Sequence, residues 1–279
     1  MKTKILSLLM LLCCATASAQ KQIEILHTND THSCILPLNK NLADTAVAGR
    51  GGFLRRVAMI RDERKQKPDL LLFDSGDFSQ GSPYYTLFRG DVEIDLMNRM
   101  GYDAVTIGNH EFDYGLENMA RLFRRANFPI VCANYDFTGT PVEGTVKPYI
   151  IMKRNGVKIG IYGICVHLDG LVDATKCKGV KFLDPIETSN KIAAELKHKK
   201  HCDLVICLSH LGWLGPNEVG DQTLMQNSKD IDLVLGAHSH TFFDSLRYIK
   251  NADGREIGND QNGKSAIWVG KILLDMKKK

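Results

Sequence analysis

Short apolar runs alternate along most of the chain with segments whose apolar residues recur at helical spacing. Ile23–His27, Leu70–Phe73, Ala104–Ile107, Ile130–Ala133, Lys158–Ile164, Leu204–Leu208 and Leu233–Leu235 are brief and nearly continuous in apolar character, which predicts buried strands. Between them, Phe53–Gln66, Val92–Met100, Leu116–Ala126 and Pro185–His198 carry the helical pattern. Such alternation predicts an α/β fold with sheet covered by helices on both faces. After residue 243 the pattern changes: Asp244–Ile249 and Ala266–Met276 read as strands joined by a polar, Gly-rich stretch from Asn251 to Lys264. That predicts an antiparallel addition to the sheet, and no linker, repeat or second domain interrupts the pattern.

The polar punctuation falls at one kind of place. His27-Thr-Asn-Asp-Thr-His32 follows the first predicted strand, Asp74-Ser-Gly-Asp77 the second and Gly108-Asn-His-Glu111 the third. Ser209-His210 and Gly236-Ala-His-Ser-His240 follow the Leu204 and Leu233 strands. Open α/β sheets bind ligands at the C-terminal ends of their strands, so these segments converge on one rim. Five of the nine histidines (His32, His110, His210, His238 and His240) lie there, with Asp30, Asp77 and Asn109. Mixed imidazole and carboxylate donors suit zinc, manganese, iron or another first-row divalent ion. Asp30-x-His32 and His238-x-His240 place alternate side chains on one side of an extended segment. The donors exceed what one ion needs. Two ions sharing a carboxylate account for the surplus, and a single zinc flanked by further histidines is the alternative.

In this order and at strand ends, Asp-x-His, Gly-Asp, Gly-Asn-His-Glu, Ser-His and Gly-x-His-Ser-His resemble the calcineurin-like metallophosphoesterases. His27–His32, Gly76-Asp77-Phe-Ser-Gln-Gly81 and Gly108-Asn-His-Glu-Phe-Asp113 resemble its 5′-nucleotidase branch, and the resemblance runs from Ile23 to about Asp275. It implies an αββα sandwich of mixed sheets with helices on both outer faces. It implies that Asp30, His32 and His240 hold one divalent metal (zinc, manganese or similar) and Asn109, His210 and His238 a second, with Asp77 bridging. His110 and Asp113 match the family's catalytic pair, His110 and Asn109 being the residues that meet the phosphoryl group. The implied reaction is hydrolysis of nucleoside 5′-phosphates or related nucleotides by a metal-activated hydroxide. The resemblance also implies a C-terminal domain bearing aromatic and arginine residues for the substrate, which is not read in this sequence. The expectations are therefore a separate partner of that C-terminal type, or a phosphodiesterase acting alone on cyclic nucleotides or UDP-sugars. A non-catalytic metal-binding interaction module is the reading of another class; the intact set of ligands with His110 and Asp113 argues against it.

Other polar residues near the motifs draw humbler readings. Glu111 and Asp74 are candidates to orient a ligand histidine, Asp74 equally a turn residue. His27 reads as a local packing residue, Gly51-Gly52 as a helix-start turn, and His167, His198 and His201 belong to no motif.

Composition bounds the setting. Lys2 and Lys4, the apolar run Ile5–Cys14 and the triplet Ala17-Ser18-Ala19 have the form of a secretory signal peptide over residues 1–19, leaving a catalytic domain over 20–279. The expected location is across the inner membrane, in the periplasm. Lipoprotein processing at Cys13 or Cys14 is disfavoured because neither follows the small residue such a site needs. No later segment is long and apolar enough for a transmembrane helix. Loss of Lys2 and Lys4 lowers the formal charge of +4 to +2, too little to imply nucleic acid as a partner; the runs Lys197–Lys200 and Lys277–Lys279 read as solvated ends. Cys132, Cys165 and Cys207 lie in apolar runs as small buried hydrophobes, Cys177 and Cys202 are a conceivable disulfide, and no CxxC pair suggests a cysteine-based metal site. No Gly-x-Ser-x-Gly elbow or phosphate-cradling Gly-Lys-Ser/Thr loop is present, which disfavours a serine hydrolase or a P-loop ATPase.

Overall fold

A computed structural model describes residues 21–213 and 219–276; the predicted signal peptide, with Cys13 and Cys14, and the run Lys277–Lys279 lie outside the described residues. In chain order the elements are β1 (Lys21–Thr28), α1 (Phe53–Gln66), β2 (Leu71–Asp74), α2 (Pro83–Phe88), α3 (Asp91–Met100), β3 (Ala104–Val105), α4 (Gly115–Arg125), β4 (Tyr135–Asp136), β5 (Tyr149–Arg154) and β6 (Val157–Cys165). They continue with β7 (Lys181–Phe182), α5 (Pro185–Ala194), β8 (Leu204–His210), α6 (Asp221–Gln226), β9 (Leu233–Leu235), β10 (Arg247–Lys250), β11 (Glu256–Asp260) and β12 (Gly270–Met276).

Two sheets face each other, one ordered β12-β1-β2-β3 and the other β10-β11-β9-β8-β6-β5. The alternation of side chains along each strand sorts the core into layers. Leu204, Ile206 and Leu208 of β8 meet Ile23, Ile25, Leu71 and Phe73 between the sheets. Val205 and Cys207, pointing the other way, pack under Ile192 and Leu196. On the far face of the other sheet, Leu70 and Leu72 pack with Ile60 of α1 and with Ile94 and Met97 of α3. The result is the expected αββα sandwich. Strands covered on both faces must be apolar throughout, which is why β2 and β8 read as unbroken runs. Each fully buried Leu, Ile or Phe contributes about 1.5–3 kcal/mol of transfer free energy.

Several predicted elements differ. Ile130–Ala133 joins neither sheet as a strand: Val131 N–H donates to Val105 O (2.9 Å), Cys132 N–H to Lys147 O (2.9 Å) and Ala133 N–H to Gly163 O (2.8 Å). With partners on β3 and on β6, the segment stitches the two sheets together. The helix from Pro185 is α-helical only to Ala194 and closes in a wider π turn over Glu195–Lys199. The C-terminal part is not one antiparallel addition. β11 lies inside the polar, Gly-rich stretch from Asn251 to Lys264 and runs parallel to β9, β10 pairs antiparallel with β11, and β12 pairs antiparallel with β1 in the other sheet. Cys177 and Cys202 are free thiols; the closest pair is Cys132 and Cys165, with sulfurs 3.4 Å apart. Among the described residues no helix is long and apolar enough to cross a membrane.

Candidate metal centre

Parallel strands finish on the same side, so β1, β2, β3, β8 and β9 deliver their terminal loops to one rim. Five of the singled-out residues have left-handed backbone there: Asp30 (φ 46°), His32 (φ 43°), Asp77 (φ 54°), His238 (φ 70°) and His240 (φ 55°). Outside glycine that conformation costs about 1–3 kcal/mol per residue and persists only where neighbours over-determine it. Here the neighbours are visible. Asp30, His32 and Ser33 donate their N–H groups to the carbonyls of Gly76, Asp77 and Phe78, each at 3.0 Å, zipping the β1 loop onto the β2 loop. The buried Glu111 carboxylate accepts the N–H groups of Asp77 (3.0 Å), Ser79 (3.1 Å) and Gly108 (2.6 Å). Gly108 is required: a Cβ there would collide with the Asp77 carboxylate.

Three clusters of ligand atoms result, each within 4.8 Å: Asp30, His32 and His240; Asp77, His210 and His238; and His32, Asp77 and His110. Asp77 is shared by two of them. His210 Nδ1–H donates to the Ser75 carbonyl (2.7 Å), leaving Nε2 aimed at Asp77 Oδ2, 3.2 Å away. His32 Nε2 and His240 Nε2 stand 2.8 Å apart, and the Asp30 carboxylate accepts the His238 N–H at 2.9 Å. Asn109 Oδ1 is buried and meets no hydrogen-bond donor. Two ring nitrogens at contact distance, a ring nitrogen facing a carboxylate and an orphaned amide oxygen all call for a shared proton or cation. This donor set fits first-row divalent ions. His110, part-buried, sets Nδ1 3.2 Å from both Asp113 oxygens, its ring edge-on to His32 with centroids 5.4 Å apart.

Burial is the main electrostatic influence. It pushes the Asp30 carboxyl up to about 8, opposed by His210 and reinforced by Asp77. It holds His32 and His238 down to about 4, so near neutral pH both are neutral imidazoles, the form that offers a lone pair. At His210 burial works against charge, but the adjacent Asp77 outweighs it and lifts the imidazole well above its usual range; Asp77, in spite of its own burial, is lowered in return. His110 is likewise raised, its burial outweighed by the hydrogen bond to Asp113 and the charge of Asp77.

All nine residues singled out (Asp30, His32, Asp77, Asn109, His110, Asp113, His210, His238 and His240) therefore stand at one rim. Two neighbours, Glu111 and His27, are not what the sequence suggested, while Asp74 takes the turn role that is one of its two readings. Glu111 holds backbone N–H groups rather than a histidine. Asp74 accepts Thr28 Oγ–H (2.6 Å) and Gly76 N–H (3.0 Å), a strand-end latch away from any ligand histidine. His27 bonds at long range, to Asp260 (2.8 Å) and Ser75 (3.0 Å), tying one sheet to the other. Sequence reasoning missed Asp221, which accepts from Ser209 (2.5 Å), Asn259 (3.0 Å) and Gln261 (3.1 Å) beneath the His210 and His238 loops. Gly51-Gly52 forms a helix start, Gly52 (φ 95°) pressing against Leu36 and Pro37.

Comparison with known proteins agrees with this geometry. The model of the calcineurin-like phosphoesterase family matches residues 23–242. A snake venom 5′-nucleotidase from Gloydius brevicauda is 33% identical over 82% of this chain and 38% of its own length. The crystal structure of a 5′-nucleotidase precursor from Thermus thermophilus superposes with a TM-score of 0.80 at 29% identity, over 90% of this chain and 51% of that one. The calcineurin-like phosphoesterase YfkN from Bacillus subtilis superposes with a TM-score of 0.74 at 28% identity, over 93% of this chain and 86% of the solved one. The chain spans between 17% and 45% of the curated relatives it matches, and it corresponds to the N-terminal catalytic part of the 5′-nucleotidases. On the family match, and in keeping with its fold and rim, the chain belongs to the calcineurin-like phosphoesterases, a family of hydrolases.

Proposed function

We propose that this chain hydrolyses phosphate esters of nucleotides, nucleoside 5′-phosphates foremost, at a centre holding two divalent cations. Asp30, His32 and His240 would hold one cation and Asn109, His210 and His238 the other, with Asp77 between them. When bound, such ions neutralise phosphoryl oxygens and acidify water, and zinc, manganese or a similar ion suits these donors. The Ser75 carbonyl fixes the His210 tautomer so that Nε2 is its donor atom. Asp113 orients His110 and favours its protonated form, so His110 presents an N–H to a phosphoryl oxygen or to the departing alkoxide. Asn109, next to it, faces the same group.

The observation that carries this reading is the convergence of the Asp30–His32–His240 and Asp77–His210–His238 clusters beside the His110–Asp113 pair. The experiment is a substrate panel on the manganese- or zinc-loaded protein: AMP, UDP-glucose, 2′,3′-cyclic AMP and bis-p-nitrophenyl phosphate. Turnover led by AMP supports it; no turnover of any phosphoester overturns it in favour of a binding module. A second reading is action without a partner chain, since the solved calcineurin-like phosphoesterase YfkN is matched over 86% of its length; phosphodiesters such as cyclic nucleotides would then be the substrates to test. Adding a separate chain of the 5′-nucleotidase C-terminal type separates the two, since only the first reading gains AMP turnover from it. The reading includes export to the periplasm, checked by an exported protein that begins at Gln20; a lipid on Cys13 or Cys14 would contradict it.

A further inference from the structure

A cavity of about 440 Å³ opens at the centre, lined by His32, His110 and His240 together with Leu36, Leu38 and Tyr84. Lys264 is the only lysine or arginine among its lining residues. Nothing in the sequence motifs pointed to it. Its backbone is nevertheless held as firmly as that of the ligand loops. Ser265 N–H donates to the Asp30 carbonyl (2.8 Å), and Gly263 N–H donates to the Thr241 carbonyl (2.8 Å). Asn29 Nδ2 donates to the Gly263 carbonyl (2.9 Å), and Asn262 N–H to Asn29 Oδ1 (2.9 Å). The residues flanking Lys264 are thus tied to the segment that carries Asp30 and to the one that follows His240. Ser265 (φ 59°) and Ala266 (φ 58°) take left-handed backbone to keep that path, a strain that marks an over-determined loop.

The Lys264 side chain is exposed and forms no ion pair among the described residues, so its ammonium is free to meet a ligand. A cation fixed at the edge of a phosphoester site discriminates by charge, because a monoester dianion offers it one more anionic oxygen than a diester.

We propose that Lys264 binds a non-bridging phosphoryl oxygen from the His240 side of the cavity and thereby favours phosphate monoesters over diesters. This rests on the phosphoesterase reading above. The test compares wild type, Lys264→Met and Lys264→Arg, each manganese-loaded, in calorimetric binding of inorganic phosphate and in KM and kcat for p-nitrophenyl phosphate and bis-p-nitrophenyl phosphate. Lys264→Met should weaken phosphate binding and raise the monoester KM about tenfold, leave the diester within about twofold, and be rescued by Lys264→Arg. Equal losses on both esters, or unchanged phosphate affinity, overturn the proposal. Should neither ester be hydrolysed by any form while Lys264→Met still loses phosphate affinity, the anion site stands and the hydrolase reading falls.

Discussion

The two sides of the metal rim are built on different principles. On the side fed by β1, β2 and β3, the ligand-bearing loops are held by backbone: Asp30, His32 and Ser33 zip onto Gly76, Asp77 and Phe78, and Glu111 gathers three N–H groups. On the side fed by β8, β9 and β11, backbone bonds such as Gly236 N–H to the Asp260 carbonyl (2.8 Å) are joined by a network of buried side chains. Asp221 joins Ser209, Asn259 and Gln261, and Gln261 Oε1 accepts from Ser239, between His238 and His240 (3.0 Å). A backbone-held loop fails as a unit when its acceptor is lost. A side-chain-held loop relaxes by degrees, so its residues tune the centre more than they secure the fold.

Asp77 stands where the two sides meet, and its replacement should be the most damaging. Asp77→Asn removes the shared carboxylate, and phosphoester turnover should fall by a factor on the order of 10³ with the fold retained, as read by steady-state kinetics beside circular dichroism. Glu111→Gln tests the first side. An amide cannot accept three N–H groups, so the folded state should lose about 1–3 kcal/mol in a urea titration, with activity falling in parallel. Asp221→Asn tests the second side: metal affinity or turnover should drop roughly 10–100-fold while the urea midpoint moves less than for Glu111→Gln. The reverse ranking of the two midpoints would erase the distinction.

The smallest effect concerns pH. Burial pushes the Asp74 carboxyl up to about 6 from an ordinary 3.8, against the hydrogen bond from Thr28. A folded-state value above the unfolded one means that the contribution is complete below about pH 4 and is lost as pH rises through about 6. Metal-free wild type should therefore lose on the order of 1 kcal/mol relative to Asp74→Asn between pH 4 and pH 5, measured by denaturant unfolding.

The legible part of the molecule follows the same division. β1, β2 and β8 were readable because both faces are covered and their runs are apolar, and the ligand residues because they cluster at those strands' ends. β11 was not, since it ends in Asn259 and Asp260, buried polar residues that bond across the fold and imitate a linker. Glu111 was misread because its partners are backbone N–H groups, which leave no trace in composition. The partner of His27 lies 233 positions away, and Lys264 matters only through where its loop is tied. Chemistry carried by strand ends was visible; support carried by distant contacts was not.

The pairing of β12 with β1 has a consequence in time. Lys21 through His27 register against Met276 through Gly270, and the Gln22–Asp275 side-chain contact spans 253 positions. During synthesis β1 therefore presents an open edge until nearly the whole described chain has emerged, and the loop closure that covers it is among the costliest in the fold. Sheet completion of this kind is slow, and mispairing of the waiting edge is the hazard that accompanies it.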